Sequence, residues 1–223
     1  MKKIAIIGSG EHAKKIAFEI EKIKELNLVG FIDEKHKTGK TIQEIKGKKI
    51  KVISNLSGLK NNNFKNLTFV MGIGDNYTRF KIIKELKEKK INLKWNKVVS
   101  KNSIINGHVK IGDGSIIFSG VVISNESEIG KHCFIGPNSS LEHNNKFKDF
   151  SSCGAGVNCG GNVTVGEYSF LGIGTSVKHQ VNILDNCIIG GQSLIIKNCK
   201  KNSLYFGVPA KKIKNWKLSK KYL

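Results

Sequence analysis

The chain has 223 residues and a formal net charge of +21, a length that suits one or two small domains with a substantial core. No signal-peptide pattern and no apolar run of about 18 residues is present, so we expect a cytoplasmic protein that does not insert into a membrane. The lysines are spread over both halves without clustered arginine or a reading motif, so we expect no nucleic-acid partner, although the positive field would attract polyanionic small molecules.

The first hundred residues follow a strand, glycine turn and helix pattern. Residues 3–7 predict an apolar strand, residues 8–13 read Gly-Ser-Gly-Glu-His-Ala, and a helical pattern follows. A second strand at 28–32 ends in an acidic pair, and a third at 67–71 leads into Gly-Ile-Gly-Asp-Asn and another helix. This order is a βαβ layout of the nucleotide-binding type, in which the ligand lies at the carboxyl ends of the strands.

A dinucleotide oxidoreductase is the competing interpretation of the glycine turn. The G-x-G-x-x-G fingerprint has Ala13 in place of its third glycine, which some sites tolerate. The unit is also too short for the two halves of a full dinucleotide fold, and His12 at the turn is unexpected for a plain NAD site. These features argue against NAD.

Apolar anchors recur at every sixth position of the second half without a break. They are Val99, Ile105, Ile111, Ile117, Ile123, Ile129, Ile135, Leu141, Phe147, Cys153, Cys159, Val165, Leu171, Val177, Ile183, Ile189 and Ile195. A period of six is a multiple of the strand period and does not match 3.6, so each hexad predicts a short strand and a corner. Stacked hexads form a solenoid, whereas a β-sandwich would not keep a fixed count through its turns.

Small residues and glycines accompany the anchors. A small or β-branched residue stands two positions before most anchors, where we expect it to fill the corner, and glycine after the anchor should ease the bend. The five cysteines are Cys133, Cys153, Cys159, Cys187 and Cys199. Four of them fall on inward positions and none forms a C-x-x-C pair, so we expect reduced core residues and no metal site.

The motif [Ile/Val/Leu]-Gly-x-x-small-x resembles the hexapeptide repeat of left-handed parallel β-helix acyltransferases. Together with the turn at 8–13, Phe31-Ile32-Asp33 and residues 72–76 followed by Arg79, it resembles the sialic acid O-acetyltransferase and nucleotide-sugar N-acetyltransferase family across nearly the whole chain. The resemblance implies a Rossmann-like α/β domain for a nucleotide sugar at 1–97, a left-handed parallel β-helix at 98–200 and a cap at 201–223. It also implies a homotrimer that uses acetyl-CoA.

The same resemblance assigns the first domain to the nucleotide sugar, with His12 on the phosphates and the acidic pair beside the base or ribose. The implied substrate-binding residues are Gly8, Gly10, His12, Asp33, Glu34, Gly74, Asp75 and Asn76. Two alternatives to ligand binding remain open. His12 could be an exposed residue at the start of a helix, and Asp33 could be an acidic turn residue at the end of a strand.

His143 is the histidine that we assign to catalysis. It lies two residues past an inward anchor, on the outside of the predicted coil, and the family places a general base in a similar Ser-Ser-x-x-Glu-His stretch. Direct transfer from a thioester to an amine needs such a base and no covalent nucleophile. Relatives usually carry an acid directly after this histidine, whereas this chain has Asn144, which can orient the ring but carries no charge. Glu142 is the candidate to supply that charge instead.

Four residues are implied for coenzyme A by the resemblance: Ser152, Gly161, Ile173 and Gly191, with Ser152 standing where relatives often have a second histidine. Residues 204–213 resemble the Gly-x-Pro-Ala-Lys signature that follows the last coil. We expect this segment to cap the open end of the solenoid, and its lysines are candidates for the CoA phosphates. Both interpretations of the segment remain open.

The sequence therefore predicts an acetyl-CoA-dependent N-acetyltransferase that acts on the amino group of a nucleotide-linked amino-deoxy sugar, such as a UDP-sugar, by direct transfer in a ternary complex. One alternative is O-acetylation of sialic acid or another sugar hydroxyl. Another is a non-catalytic nucleotide-sugar scaffold, which Asn144 and Ser152 make credible.

Overall fold

A six-stranded sheet forms the first part of the chain, called here the α/β region. The computed structural model describes residues 1–60 and 64–222, so the last residue of the predicted cap lies outside the described residues. The strands are β1 Lys2–Ile7, β2 Leu26–Ile32, β3 Thr41–Ile45, β4 Lys48–Ser54, β5 Thr68–Met71 and β6 Lys94–Trp95. Their order is β3-β4-β2-β1-β5-β6, and only β3 runs antiparallel to its neighbour. The predicted Rossmann-like arrangement is confirmed.

Two helices pack on this sheet. They are α1 Glu11–Glu21 and α2 Asn76–Glu88, and a 3₁₀ turn spans Ser57–Lys60. Helix α1 connects the parallel strands β1 and β2 and buries Ile16, Ala17 and Ile20 against the sheet. Adjacent parallel strands require a crossover connection of this kind. Neither helix of the described residues is long and apolar enough to span a membrane.

Coils of three short strands follow from Val98, and each coil takes 18 residues. The first face contains β7 Val98–Val99, β10 Ile116–Ile117, β13 Phe134–Ile135, β16 Ser152–Cys153, β19 Phe170–Leu171 and β22 Cys187–Ile189. The second contains β8 Ile104–Ile105, β11 Val122–Ile123, β14 Ser140–Leu141, β17 Asn158–Cys159, β20 Ser176–Val177 and β23 Leu194–Ile195. The third contains β9 Lys110–Ile111, β12 Glu128–Ile129, β15 Lys146–Phe147, β18 Thr164–Val165 and β21 Asn182–Ile183. Strands one coil apart pair in parallel, which confirms the left-handed β-helix.

The interior follows the hexad pattern. From Ile117 onward the anchors are buried, and so are the small residues that precede them. Ser115 illustrates the corner: its hydroxyl donates to the Gly130 carbonyl at 2.6 Å and accepts from the Cys133 N–H at 2.8 Å. All five cysteines are buried and free. The polar groups of this corner are thus satisfied by the next coil, as burial demands.

The glycines after the anchors have a different role from the one expected. A Cβ on Gly112 would lie 2.6 Å from the Gly130 carbonyl carbon of the next coil, so close approach of the coils excludes a side chain there. The left-handed backbone falls two residues later, as at His132 (φ 56°) and Asn144 (φ 60°). Glycine at the anchor-plus-one position therefore permits stacking rather than bending.

The chain leaves the six-residue register after Ile195. Ile189 pairs with Tyr205, 16 residues on rather than 18, and a hairpin of β24 Ser203–Gly207 and β25 Ala210–Asn215 extends the first face. Tyr205 joins the interior of the last coil. The hairpin therefore covers that end of the β-helix.

The outward side chains distinguish the three faces. Those of the first face are Val98, Ile116, Phe134, Ser152, Phe170 and Ile188, and they pack under the α/β region and the C-terminal segment. Those of the third face are Lys110, Glu128, Lys146, Thr164 and Asn182, and they are exposed or half-buried. The α/β region thus sits on one face of the triangular coil.

Candidate functional site

A cavity of about 640 Å³ opens at the carboxyl ends of β1, β2 and β5. It is lined by residues 7–12, 32–36 and 72–74, with Leu56, Thr78, Ile82 and Lys221. Gly8, Gly10, His12, Asp33, Glu34 and Gly74 all line it, so the topology brings six of the eight predicted substrate-binding residues together.

The glycine turn is shaped for close approach. Gly8 has φ +96°, a backbone conformation that L side chains rarely adopt, and a Cβ there would lie 3.1 Å from Ile73. Gly10 caps α1 without any side-chain hydrogen bond, so the first N–H groups of the helix are left for a ligand. A Cβ on Gly72 would lie 2.6 Å from the Cβ of Ala13. Gly72 therefore makes the room that the missing third glycine of the fingerprint would otherwise supply.

Ser9, Asp33 and His36 form a hydrogen-bonded group at the other side of the cavity. The Ser9 hydroxyl donates to Asp33 Oδ2 at 2.7 Å and lies 3.0 Å from His36 Nδ1. Partial burial would raise the pKa of the Asp33 carboxyl, but hydrogen bonds from Ser9 and from the backbone N–H groups of Lys35 and His36 lower it. Glu34 accepts from the Leu56 N–H at 2.7 Å. The acidic pair is thus held in a defined orientation along the cavity wall.

His12 is more enclosed than the sequence suggests. Its ring lies 4.6 Å from the ring of Phe134 and 5.7 Å from that of Phe118, and its Nε2 is buried without a partner among the described residues. Burial, reinforced by Arg79 and Lys15, lowers the pKa of His12 to about 3. At neutral pH this side chain offers the cavity a neutral hydrogen-bonding group and no positive charge.

Asp75 and Asn76 do not line the cavity, contrary to expectation. Asp75 caps α2 by accepting from the Thr78 N–H at 2.8 Å. Asn76 is fully buried, and its amide donates to the carbonyls of Tyr168 and Ser169 in the β-helix. Asp75 therefore serves the helix cap, and Asn76 serves the interface with the β-helix.

Arg79 is the only arginine of the chain, and it is fully buried between the two regions. Its donors reach the carbonyls of His132 (3.1 Å), Gly74 (2.6 Å), Ile73 (3.1 Å) and Phe150 (3.3 Å). They also reach Asn76 Oδ1 at 2.6 Å and Ser152 Oγ at 2.7 Å. A lysine has no such planar fork of donors. In the sequence, the available signal was that position 79 holds the one arginine among 38 lysine and arginine residues.

Ser152 belongs to this interface and not to an open groove. Its side chain is 2% exposed, accepts from Arg79 and donates to Asn76 Oδ1 at 2.8 Å. The expected contact between Ser152 and coenzyme A therefore does not fit its position.

His132 is buried between the coil and the α/β region. It does point out of the coil, but Trp95 (4.8 Å between ring centroids) and Phe150 (5.3 Å) cover it. Burial lowers the pKa of His132 to about 3, and the positive charges of Arg79 and two lysines contribute to the same shift.

His143 lies exposed at the corner between the second and third faces. Its Nδ1 is 2.8 Å from Asn144 Oδ1. Because an amide oxygen only accepts, this contact favours the tautomer that carries its proton on Nδ1 and leaves the lone pair on Nε2. A Cβ on Gly161 would lie 2.5 Å from that Nε2, so a side chain at this position would displace the His143 ring from its place over the next coil.

The other residues predicted for catalysis and coenzyme A separate into two groups. Glu142 is exposed, and within 1–60 and 64–222 no hydrogen bond or ion pair joins it to His143. Gly161 lies at the His143 corner, whereas Ile173 (63% exposed) and Gly191 lie together at the corner between the first and second faces. No group of side chains in the described ranges is arranged to hold a metal ion.

The cavity and His143 lie on opposite sides of one chain. The α/β region covers the first face through contacts such as Arg79 with Ser152 and Glu19 with Ser100. The corner that carries His143 is the vertex opposite that face. A ligand in the cavity is therefore directed away from the His143 of its own chain.

Comparison with known proteins places this geometry in context. Residues 3–86 match the PglD N-terminal domain family. The acetyltransferase domain of PglB from Neisseria gonorrhoeae FA1090 is 20% identical with a TM-score of 0.85, over 96% of this chain and 100% of that one. PerB from Caulobacter crescentus, solved with CoA and GDP-perosamine, is 24% identical with a TM-score of 0.84, over 95% and 97%. WeeI from Acinetobacter baumannii AYE is 16% identical with a TM-score of 0.60, over 94% and 99%.

At these identities the structures establish a shared fold along nearly the entire chain. A search of curated protein sequences finds no match.

Proposed function

We propose that this protein is an acetyl-CoA-dependent N-acetyltransferase that acts on the amino group of a nucleotide-linked amino sugar. The observation that carries the proposal is the combination of a cavity with a free helix N-terminus and an exposed His143 whose Nδ1 lies 2.8 Å from Asn144 Oδ1. PerB, which shares the fold along nearly the entire chain, was solved with CoA and GDP-perosamine.

His143 is the general base of the proposed reaction. The lone pair of the acceptor amine forms a bond to the thioester carbonyl carbon while Nε2 takes the N–H proton. The carbon–sulfur bond then breaks, and the proton passes to the departing thiolate to give free CoA. Asn144 holds the ring by accepting from Nδ1, although it cannot raise the basicity of the imidazole as a carboxylate would.

The backbone beside His143 supports the developing oxyanion. At the corner near the α/β region, the outward N–H groups of Lys131 and Glu167 donate to Asp149 and Asp185. At the His143 corner, the Gly161 N–H has no acceptor among the described residues. An unoccupied N–H next to the base suits a tetrahedral intermediate.

The proposed active enzyme is a homotrimer. A sugar bound in the cavity faces away from the His143 of its own chain, so another copy must supply the base. The second face suits self-association because it carries no charged outward residue: these are Ile104 (56% exposed), Val122, Ser140, Asn158, Ser176 and Leu194. Ile173 and Gly191, at the edge of this face, remain candidates for coenzyme A in the cleft between copies.

His143→Ala tests the chemistry, with release of free thiol from acetyl-CoA as the measurement. The acceptors are UDP-, dTDP-, GDP- and CMP-linked sugars with and without an amino group. We expect kcat to fall about 10²- to 10⁴-fold, the usual contribution of a general base, with the trimer intact by light scattering.

His179→Ala is the matched control, because His179 is an exposed histidine at the same corner one coil beyond Gly161. Unchanged turnover in the His143 variant would contradict the mechanism. Transfer only to a sugar hydroxyl would contradict the proposed amino-sugar substrate. If the wild type transferred acetyl to none of the acceptors, the proposed acetyltransferase activity would be contradicted.

A further inference from the structure

The segment after β25 returns to the cavity of the α/β region. Trp216 is buried against Ile188 and Leu204 of the first face and its hairpin. The Tyr222 ring stacks on Phe170 with 4.5 Å between centroids. A segment more than 140 residues away in sequence from the cavity loop is thereby brought beside it.

Tyr222 fastens this segment to the loop that closes the cavity. Its hydroxyl accepts from the Asn76 N–H at 3.0 Å and donates toward the Gly74 carbonyl at 3.4 Å. Burial raises the pKa of the Tyr222 hydroxyl, so the group keeps its proton and can fill both roles. The same Gly74 carbonyl accepts from Arg79. Tyr222 thus contacts a part of the cavity wall that is already fixed.

Lys221, the preceding residue, lines the cavity in consequence. The other ionisable lining residues are Glu11, His12, Asp33, Glu34, Lys35 and His36. His12 is neutral, Glu11 pairs with Lys14, and the backbone N–H groups of Lys35 and His36 bind Asp33. Arg79 is committed to the interface. Among the described residues, Lys35 is the one lysine of the α/β region that lines the cavity, and Lys221 adds a second lysine from the C-terminal segment.

We propose that Lys221 belongs to the ligand site as the cation for the diphosphate of a bound nucleotide, and that Tyr222 is the residue that positions it. The inference rests on the proposed function, since it takes the cavity to be the nucleotide site. A diphosphate needs more than the partial charge of a helix terminus, and a lysine ammonium supplies a mobile point charge with three donors.

The test is calorimetric binding of UDP, GDP and dTDP to the full chain and to two lysine variants. Lys221→Gln removes the proposed contact. Lys220→Gln removes the same charge from the adjacent residue, whose ammonium lies 5.0 Å from the centre of the Trp216 ring. We expect the first variant to bind the preferred nucleotide about tenfold more weakly and the second to bind it as the wild type does. The KM for acetyl-CoA should be unchanged in both.

Tyr222→Phe tests the positioning role. The ring stack remains and only the hydroxyl contacts with Asn76 and Gly74 are lost, so we expect a higher KM for the nucleotide sugar with kcat retained.

Equal nucleotide affinity of Lys221→Gln and wild type would overturn the inference and leave the proposed function standing. Equal weakening by Lys220→Gln would also overturn it, because the effect would then come from net charge. If the wild type bound none of the three nucleotides, both the inference and the nucleotide-sugar proposal would fail.

Discussion

The first face of the β-helix is covered by the α/β region, whereas the third face is open to solvent. Their interiors follow the same rule, with buried anchors such as Ile135 and Phe147. Their exteriors differ: Phe134 is 3% exposed beneath Arg79, while Lys146 projects into solvent. The hexad therefore builds the coil from its inward positions, and the outward positions decide what each face contacts.

Of the changes considered, removal of Arg79 should destabilise the covered first face most. Arg79→Met removes the hydrogen bonds that the guanidinium donates to four carbonyls, an amide oxygen and a hydroxyl in a buried interface. We expect a loss of about 4 kcal/mol in the free energy of unfolding, measured by urea denaturation. Arg79→Lys should recover only part of it, because an ammonium cannot reach acceptors on both regions. Full recovery by lysine would mean that charge, and not the fork, is what the site requires.

A pair of truncations compares the two faces directly. Phe134→Ala empties a space between His12 and Arg79 on the first face and should cost about 3 kcal/mol. Lys146→Ala, the equivalent outward position of the third face, should leave the melting temperature unchanged. Equal losses in the two variants would show that the covered face contributes no more than the open one.

Acid should weaken the covered face selectively. The pKa of His12 and His132 is about 3 in the folded chain and 6.5 is their ordinary value, so unfolding takes up protons below pH 6.5. The stability that depends on the neutral rings is complete above that pH and is lost as the pH falls toward 3. Between pH 7 and pH 5 each ring should account for about 2 kcal/mol. His132→Phe should reduce the pH dependence of urea unfolding by that amount, whereas His108→Phe, at an exposed residue of the β-helix, should not.

The β-helix could be predicted almost residue by residue. Contacts such as Ile117 with Ile135 join residues 18 apart, and a hydrogen bond such as Ser115 with Gly130 joins residues 15 apart. Because these separations repeat, each position has the same environment in every coil, and the pattern appears in the sequence as a period. The cavity was also predictable in outline, because parallel strands end at one edge.

The interface could not be predicted in the same way. Arg79 bonds to His132 across 53 residues and to Ser152 across 73, and Tyr222 to the Asn76 N–H across 146. No local pattern marks these pairs, so Asp75, Asn76 and Ser152 were assigned to ligands although they serve a helix cap and the interface. His132 points out of the coil and is nevertheless buried in the folded chain. The apolar outward residues at 98, 116, 134, 170 and 188 were the available signal.

The sequence by itself determined the coil, its reduced cysteine core, the βαβ turn and the exposure of His143, because each depends on neighbours at fixed spacing. Only the tertiary structure decided which face is covered, that the one arginine joins the two regions, and that Lys221 borders the cavity. Those contacts depend on the docking of two separately patterned regions, for which hydrogen-bond geometry and burial, rather than periodicity, select the partners.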